Sequence, residues 1–179
     1  MILHRIVNKI IALGKKHDHI AYARWLGVSV GENCKFVDNP NWGSEPYLIK
    51  VGNHVLISGE VVFSNHDGAT WVFRETEQYK DTFKFGRITI GNNCFIGHRS
   101  ILLPNVKIGD NAVIAAGSVV NKSIPSNEVW GGVPAHFIMK TEEFAKKCYE
   151  RRIPFNGNNL KRNKKDELLR MLSLEEQDD

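Results

Sequence analysis

Cysteine is scarce in this chain. Its 179 residues include three, Cys34, Cys94 and Cys148, an odd number, far apart and without a CxxC pair. Neither a disulfide framework nor a cysteine zinc site is expected, and a reducing cytoplasm is the natural setting. Long hydrophobic runs are also missing: no apolar stretch approaches the ~18–20 residues that span a bilayer. The N-terminus, MILHRIVNKIIALGKKHDH, places Arg5 and Lys9 inside its apolar part and lacks a small-residue cleavage site, which argues against a secretory signal. No charge sign dominates. The 24 Lys and Arg against 20 Asp and Glu leave a formal +4, too little for nucleic-acid binding without a basic stripe and a reading motif. With 42% hydrophobic and 25% charged residues, the chain is neither disordered nor collagenous, and its length suits one domain with helical additions. The basic excess is local. Ten basic and five acidic residues fall between Lys140 and Arg170, either a solvated helix face or an attractor for a phosphorylated ligand.

What the chain does have is a repeat. From Ile90 an aliphatic residue recurs every six positions, at Ile90, Ile96, Leu102, Ile108, Ile114 and Val120. Four positions after each comes a small or aliphatic residue: Cys94, Ser100, Val106, Ala112, Ser118, Ile124. The same phase runs through Val51, Ile57 and Phe63, and more weakly through Val30 and Phe36. Period six fits neither an amphipathic helix nor an alternating hairpin sheet. It fits short parallel strands joined by sharp turns and wound as an all-β solenoid, a triangular prism of about five coils with both repeat positions facing inward. Gly, Asn and Asp mark the turns, as residues that tolerate positive φ. Cys34 and Cys94 occupy inward slots and are expected to pack rather than react.

Both ends of a solenoid need covering. Residues 1–27 carry a helical stripe of Ile2, Leu3, Ile6, Val7, Ile10 and Leu13, with a second short helix from an Asp18 N-cap to Gly27. Residues 28–138 form the solenoid and 139–179 a helical tail, with helices from Thr141 to about Arg152 and over 159–174.

The phase is lost between Phe63 and Gly86, where SNHDGATWVFRETEQYKDTFKF is long, polar and aromatic. This segment, 64–86, is read as a loop ejected from the prism. His66, where the chain leaves a rigid frame, is either a general base or a hydrogen-bonded turn histidine. The segment 38–46, DNPNWGSEP, also breaks the hexads and offers planar polar groups and an aromatic face. Asn39, Ser44 and Glu45 are candidate ligand contacts, to a sugar if the resemblance drawn below holds, or else plain turn residues. Asp67 could orient His66 or bind a hydroxyl, and Arg74 could meet a phosphate, one on an acceptor if the resemblance drawn below holds.

The hexads, the loop bearing NHDG, and IGDNAVIAAGSVVNKSIPSNEVWGGVPAHFI at 108–138 resemble the hexapeptide-repeat acetyltransferases. Within them the chain is similar to the maltose/galactoside and xenobiotic group and to sugar O-acetyltransferases of surface polysaccharide and lipopolysaccharide synthesis. The resemblance implies a left-handed parallel β-helix, acetyl-coenzyme A as donor, no required metal, a sugar or glycan acceptor, and a homotrimer whose active site lies between subunits. His66 matches the family's catalytic histidine. A backbone N–H near Gly97 and His98 would stabilise the oxyanion. Gly97, His98 and Ala116 match positions along the pantetheine arm, and Asn121 and Lys122 lie near the far end of the coenzyme. Trp130 would stack on the coenzyme or cap the last coil. His136 stands where relatives often carry Lys or Arg, which turns the search for a phosphate partner to Lys140 or the basic tail.

Three rival readings stay open. N-acetylation of an amino sugar or xenobiotic needs the same base and donor. A metal-dependent hydratase on a solenoid needs three imidazoles on one ion, and no suitably spaced pair follows the repeat among His4, His17, His19, His54, His66, His98 and His136. A solenoid could also serve as a non-catalytic scaffold.

Overall fold

The computed structural model describes residues 17–152 and 157–175. The apolar stripe of the first thirteen residues lies outside that range. The chain divides into two compact units, one ending at Thr141 and the other starting at Glu142.

The first unit is built from two- and three-residue strands: β1 (Ser29–Val30), β2 (Lys35–Phe36), β3 (Ile49–Val51), β4 (Leu56–Ile57), β5 (Val62–Phe63), β6 (Ile88–Ile90), β7 (Phe95–Ile96), β8 (Ile101–Leu102), β9 (Lys107–Ile108), β10 (Val113–Ile114) and β11 (Val119–Val120). They sort into three parallel sheets, β1-β3-β6-β9, β2-β4-β7-β10 and β5-β8-β11. From β3 onward the chain visits first, second and third sheet in turn. Parallel bridges from Asn41 to Val62 and from Ile108 to Ile124 extend the third and first faces. Like stacks on like, as in Val51, Ile90, Ile108 and in Phe63, Leu102, Val120.

Both repeat positions point inward. Ile57, Ile96, Leu102, Ile108, Ile114 and Val120 are fully buried, as are Val61, Ala112, Ser100 and Ser118 in the second slot. Each large aliphatic contributes about 1.5–3 kcal/mol on burial, so the column is the dominant stabilising term. The two inward hydroxyls are satisfied by the Ala115 carbonyl, at 3.1 Å from Ser100 and 2.6 Å from Ser118. Cys94 packs in the same column, and burial pushes its thiol pKa up. Cys34 is half-buried.

Two polar ladders climb the corner between the first and second sheets. In one, the side chain of each coil caps a backbone N–H of the coil before it: Asn53 takes Glu32 N–H, Asn92 takes Asn53 N–H, Asp110 takes Asn92 N–H, and Ser126 takes Asp110 N–H, at 2.6–2.9 Å. In the other, His54, Asn93, Asn111 and Asn127, all at positive φ, link side chain to side chain at 2.8 Å. The glycines before these turns do a different job from the one expected of them. Gly52, Gly91 and Gly109, which open these turns, and Gly97 at the next corner do not take positive φ. They are required because a Cβ would run into the next coil at 2.4–2.5 Å.

Helix α1 (His19–Leu26) covers the first coil. The Asp18 carboxylate accepts from Ile20 and Ala21 N–H, and Gly27 at φ 105° ends the helix. Ala23 is fully buried, and Arg24 donates to the Val30 and Gly31 carbonyls. At the other end a hairpin extends the second sheet. Strands β12 (Glu128–Gly131) and β13 (His136–Lys140) form an antiparallel hairpin that joins the second sheet through β10, so strand continues past residue 138 to Lys140. Glu128, nearly buried, accepts from Lys140 Nζ at 2.7 Å and Trp130 Nε1 at 2.8 Å. Those two bonds, Lys140 foremost, hold its carboxyl below the usual range. A depressed carboxylate stabilises the fold above its ordinary pKa and ceases to do so as acid protonates it. Replacing Lys140 with Met should therefore lower the thermal midpoint at neutral pH. The wild-type and variant midpoints should converge as acidification protonates Glu128, read by calorimetry across a pH series.

The second unit is helical: α2 (Thr141–Glu150), which starts at the last residue of the first unit, then α3 (Gly157–Arg162) and α4 (Lys164–Glu175). The single helix expected over 159–174 is broken at Asn163. Part of the local basic excess pairs within its own helices, Lys147 with Glu143 at 2.8 Å and Arg170 with Glu167 at 2.7 Å.

Candidate active site

The ejected loop leaves and rejoins the prism at one corner because its two ends pair. His66 and Phe85 form an antiparallel bridge, Asp67 N–H donates to the Lys84 carbonyl at 2.8 Å, and Gly86 N–H donates to the Asn65 carbonyl at 2.7 Å. Beyond this neck the chain turns through 3-10 segments at Gly68–Phe73 and Glu77–Tyr79. Asp67 sets the first of them. One carboxylate oxygen accepts Ala69 N–H at 3.0 Å and the other holds Lys84 Nζ at 2.9 Å. The bond from Lys84, then that from Ala69, keeps this carboxyl below its ordinary pKa.

The neck fixes His66 beside the earlier break in the repeat. Gly43 at φ 68° and a short 3-10 turn at Pro46–Leu48 bring Ser44 and Glu45 across. His66 Nδ1 lies 2.9 Å from Glu45 Oε2 and 3.2 Å from Ser44 Oγ, and Ser44 in turn donates to Glu45 at 3.2 Å. A carboxylate can only accept, so the neutral ring carries its proton on Nδ1 and keeps the Nε2 lone pair free. Serine and carboxylate both face the same ring nitrogen. A nucleophilic serine triad needs them on opposite nitrogens, so Ser44 is not placed to attack. The imidazole is 46% exposed while Glu45 is 14% exposed, a reachable base on a sheltered support. They open on a cleft of about 250 Å³ that Asp67, Arg74, Phe83 and Phe85 also line.

The remaining candidates fall on two edges of the third sheet. Asn121 and Lys122 follow β11 on the same edge as residue 64, since Ser64 and Leu103 donate successively to Leu102 and Val120. On the opposite edge lie Gly97, His98 and Ala116. Asn39, expected beside Ser44, is there too, because neighbouring Asp38 accepts Glu60 N–H at 2.8 Å at that corner. Gly97 N–H is already bonded to the Ile114 carbonyl at 2.9 Å, which removes it as an oxyanion donor. The His98 carbonyl accepts Gly117 N–H at 2.7 Å, and its ring stands 3.6 Å from Glu60. His136 comes after the turn that places Ala135 N–H on the Val119 carbonyl, again on this second edge.

Two aromatic expectations change. Trp130 is 9% exposed, covers the end of the core and bonds Glu128, so its face is not presented for stacking, though Lys122 Nζ sits 5.1 Å from the ring centre. Trp42 is 3% exposed and stacks on Phe63 at 4.8 Å, part of the core rather than a sugar platform. Lys140 is held by Glu128. Phe83, Lys84 and Phe85, which wall the cleft, were missed. The signal was an apolar–basic–apolar alternation just before the hexads resume. Among the described residues no group of three or more His, Cys, Asp and Glu could hold a metal ion, and no helix is long and apolar enough to cross a membrane.

The bacterial transferase hexapeptide (six repeats) family matches residues 87–122. Protein CapG of Staphylococcus aureus is 51% identical over 129 residues, 71% of this chain and 74% of that protein. The chain belongs to the hexapeptide-repeat acetyltransferases. A member with a named reaction, the galactoside O-acetyltransferase of Escherichia coli K12, is 39% identical over 107 residues, which is 59% of this chain and half of that enzyme. A hexapeptide-repeat-containing acetyltransferase from Vibrio cholerae shares the fold at a TM-score of 0.51 and 19% identity, over 70% of this chain and 81% of that one. As a hexapeptide-repeat acetyltransferase, the chain carries its imidazole–carboxylate pair where the ejected loop meets the prism.

Proposed function

We propose that the protein transfers the acetyl group of acetyl-coenzyme A to a sugar hydroxyl, with His66 as general base. The observation that carries this reading is the His66–Glu45 pair, 2.9 Å apart at the mouth of the cleft. Nε2 takes the hydroxyl proton as the oxygen attacks the thioester carbonyl. The Nδ1–H bond to Glu45 stabilises the imidazolium that forms, and the same proton then goes to the departing thiolate. Galactoside acetylation by a relative supplies the acceptor class, and surface polysaccharide synthesis is the setting we infer.

We read the assembly as a homotrimer in a cytoplasmic setting, each prism a left-handed winding of about five coils. The two edges of the third sheet support that assembly. His66, Asn121 and Lys122 lie on one edge, and His98, Ala116 and His136 on the other. A head-to-tail ring would set one edge against the other edge of the next copy. The loop also exposes Trp71 at 71% and Val72 at 83%, an apolar tip suited to lying over a neighbour.

Thiol release from acetyl-coenzyme A, measured with a panel of sugars and amino sugars, tests the reading. Absence of turnover together with absence of coenzyme binding would leave a scaffold instead. Glu45→Gln should lower kcat about 10- to 100-fold, the cost of one charge-assisted hydrogen bond to the imidazolium, with little change in coenzyme affinity by calorimetry.

A further inference from the structure

We propose that the acceptor carries an anionic group, phosphate or carboxylate, which Arg74 binds. This rests on the acetyl-transfer reading for the neighbouring hydroxyl, but its own support is the charge pattern of the cleft. Glu45 faces His66, and Asp67 holds Lys84 at 2.9 Å. Arg74 has no carboxylate within ion-pair reach among the described residues. Its guanidinium carbon lies 4.5 Å from the ring centre of Phe83 and 5.6 Å from that of Trp71. Nε is shut off from solvent and has no acceptor among the described residues.

Two aromatic faces hold a cation in place without neutralising it. A planar fork fixed in this way, whose terminal nitrogens make no hydrogen bond among the described residues, matches the paired oxygens of phosphate or carboxylate. The same wall leads to the base. Phe83 stacks on Phe85 with ring centres 6.3 Å apart, and Phe85 stands 6.0 Å from His66. A sugar lying with its apolar face along Phe83 and Phe85 would direct a hydroxyl to His66 and its anionic substituent to Arg74.

The test compares the full-length protein with Arg74→Gln and Arg74→Lys. Titration calorimetry in the presence of coenzyme A uses methyl β-galactoside, galactose 1-phosphate and galacturonate, alongside thiol-release kinetics with each. Wild type should bind at least one anionic sugar about tenfold or more tighter than the neutral glycoside. Arg74→Gln should weaken that sugar about 10- to 100-fold and the neutral glycoside far less, and Arg74→Lys should recover part of the loss. Preference for the 1-phosphate would indicate a phosphate-linked acceptor, and preference for galacturonate a ring carboxylate. Equal wild-type affinity for all three overturns the proposal, as does an equal loss for all three in Arg74→Gln. It is also overturned if light scattering shows that Arg74→Gln breaks the assembly, because the partner of Arg74 would then be another copy of the chain. Anionic preference without thiol release would sink the acetyl-transfer reading and leave this one standing.

Discussion

Replacing His66 with Ala is expected to lower kcat about 10²- to 10⁴-fold while leaving the thermal midpoint and coenzyme affinity close to wild type. The reason lies in what the ring does and does not touch. It is half exposed, and its contacts are Glu45, Ser44 and the ring of Phe85 at 6.0 Å. The pairing at the loop neck uses the backbone of residues 65 to 67, which Ala preserves. The loss should therefore appear in turnover rather than in folding or donor binding. An alcohol keeps its proton tightly and attacks a thioester slowly until a base removes it, so nothing else in the cleft substitutes. Asp67 is tied to Lys84 and Ala69, Glu45 is only 14% exposed behind the ring, and Ser44 has no basic nitrogen. Steady-state thiol release, with calorimetric coenzyme titration as control, separates the two effects. A variant with near-normal kcat would remove His66 from the mechanism and leave Glu45 as an ordinary turn partner.

The core was legible in the sequence because a six-residue period leaves little freedom. Once Ile90, Ile96 and Leu102 start three faces, partners eighteen residues on must stack on them, and Ile108, Ile114 and Val120 do. The site was legible only in part. His66 stands out where the period breaks, but its support, Glu45, is 21 residues earlier in the chain, and nothing local marks the pair. Asn39 and Ser44 are close in sequence, yet a corner of the prism sends them to different edges. Trp42 has the look of a binding aromatic and is instead consumed by the core beside Phe36 and Phe63. The closing hairpin was hidden for a related reason. β13 is exposed along nearly its whole length, so no alternation of apolar and polar residues announces it.

Gly52→Ala is expected to destabilise the protein by about 3 kcal/mol, near the upper end of overpacking costs. That corresponds to a thermal midpoint roughly 6–12 °C lower for a chain of this size. Gly52 does not take positive φ, so the effect does not come from backbone preference. It comes from space. An added Cβ would sit 2.5 Å from the Gly91 carbonyl oxygen and 2.7 Å from its carbon. That carbonyl cannot retreat cheaply, because the Gly91 N–H is bonded to Ile108 at 2.9 Å and the next N–H to Asp110 at 2.6 Å. Moving one coil therefore strains the ladder above it. Gly68→Ala is the matching control: a Cβ there meets nothing within 4 Å and φ is ordinary, so its midpoint should stay near wild type. Gly117→Ala separates the two causes, since that Cβ also meets open space but φ is 70°, and only the left-handed penalty of about 1–2 kcal/mol applies. Calorimetry should thus rank Gly52 well below Gly117 and Gly117 below Gly68. If Gly52→Ala melted with the control, close approach between coils would not be what reserves that position for glycine.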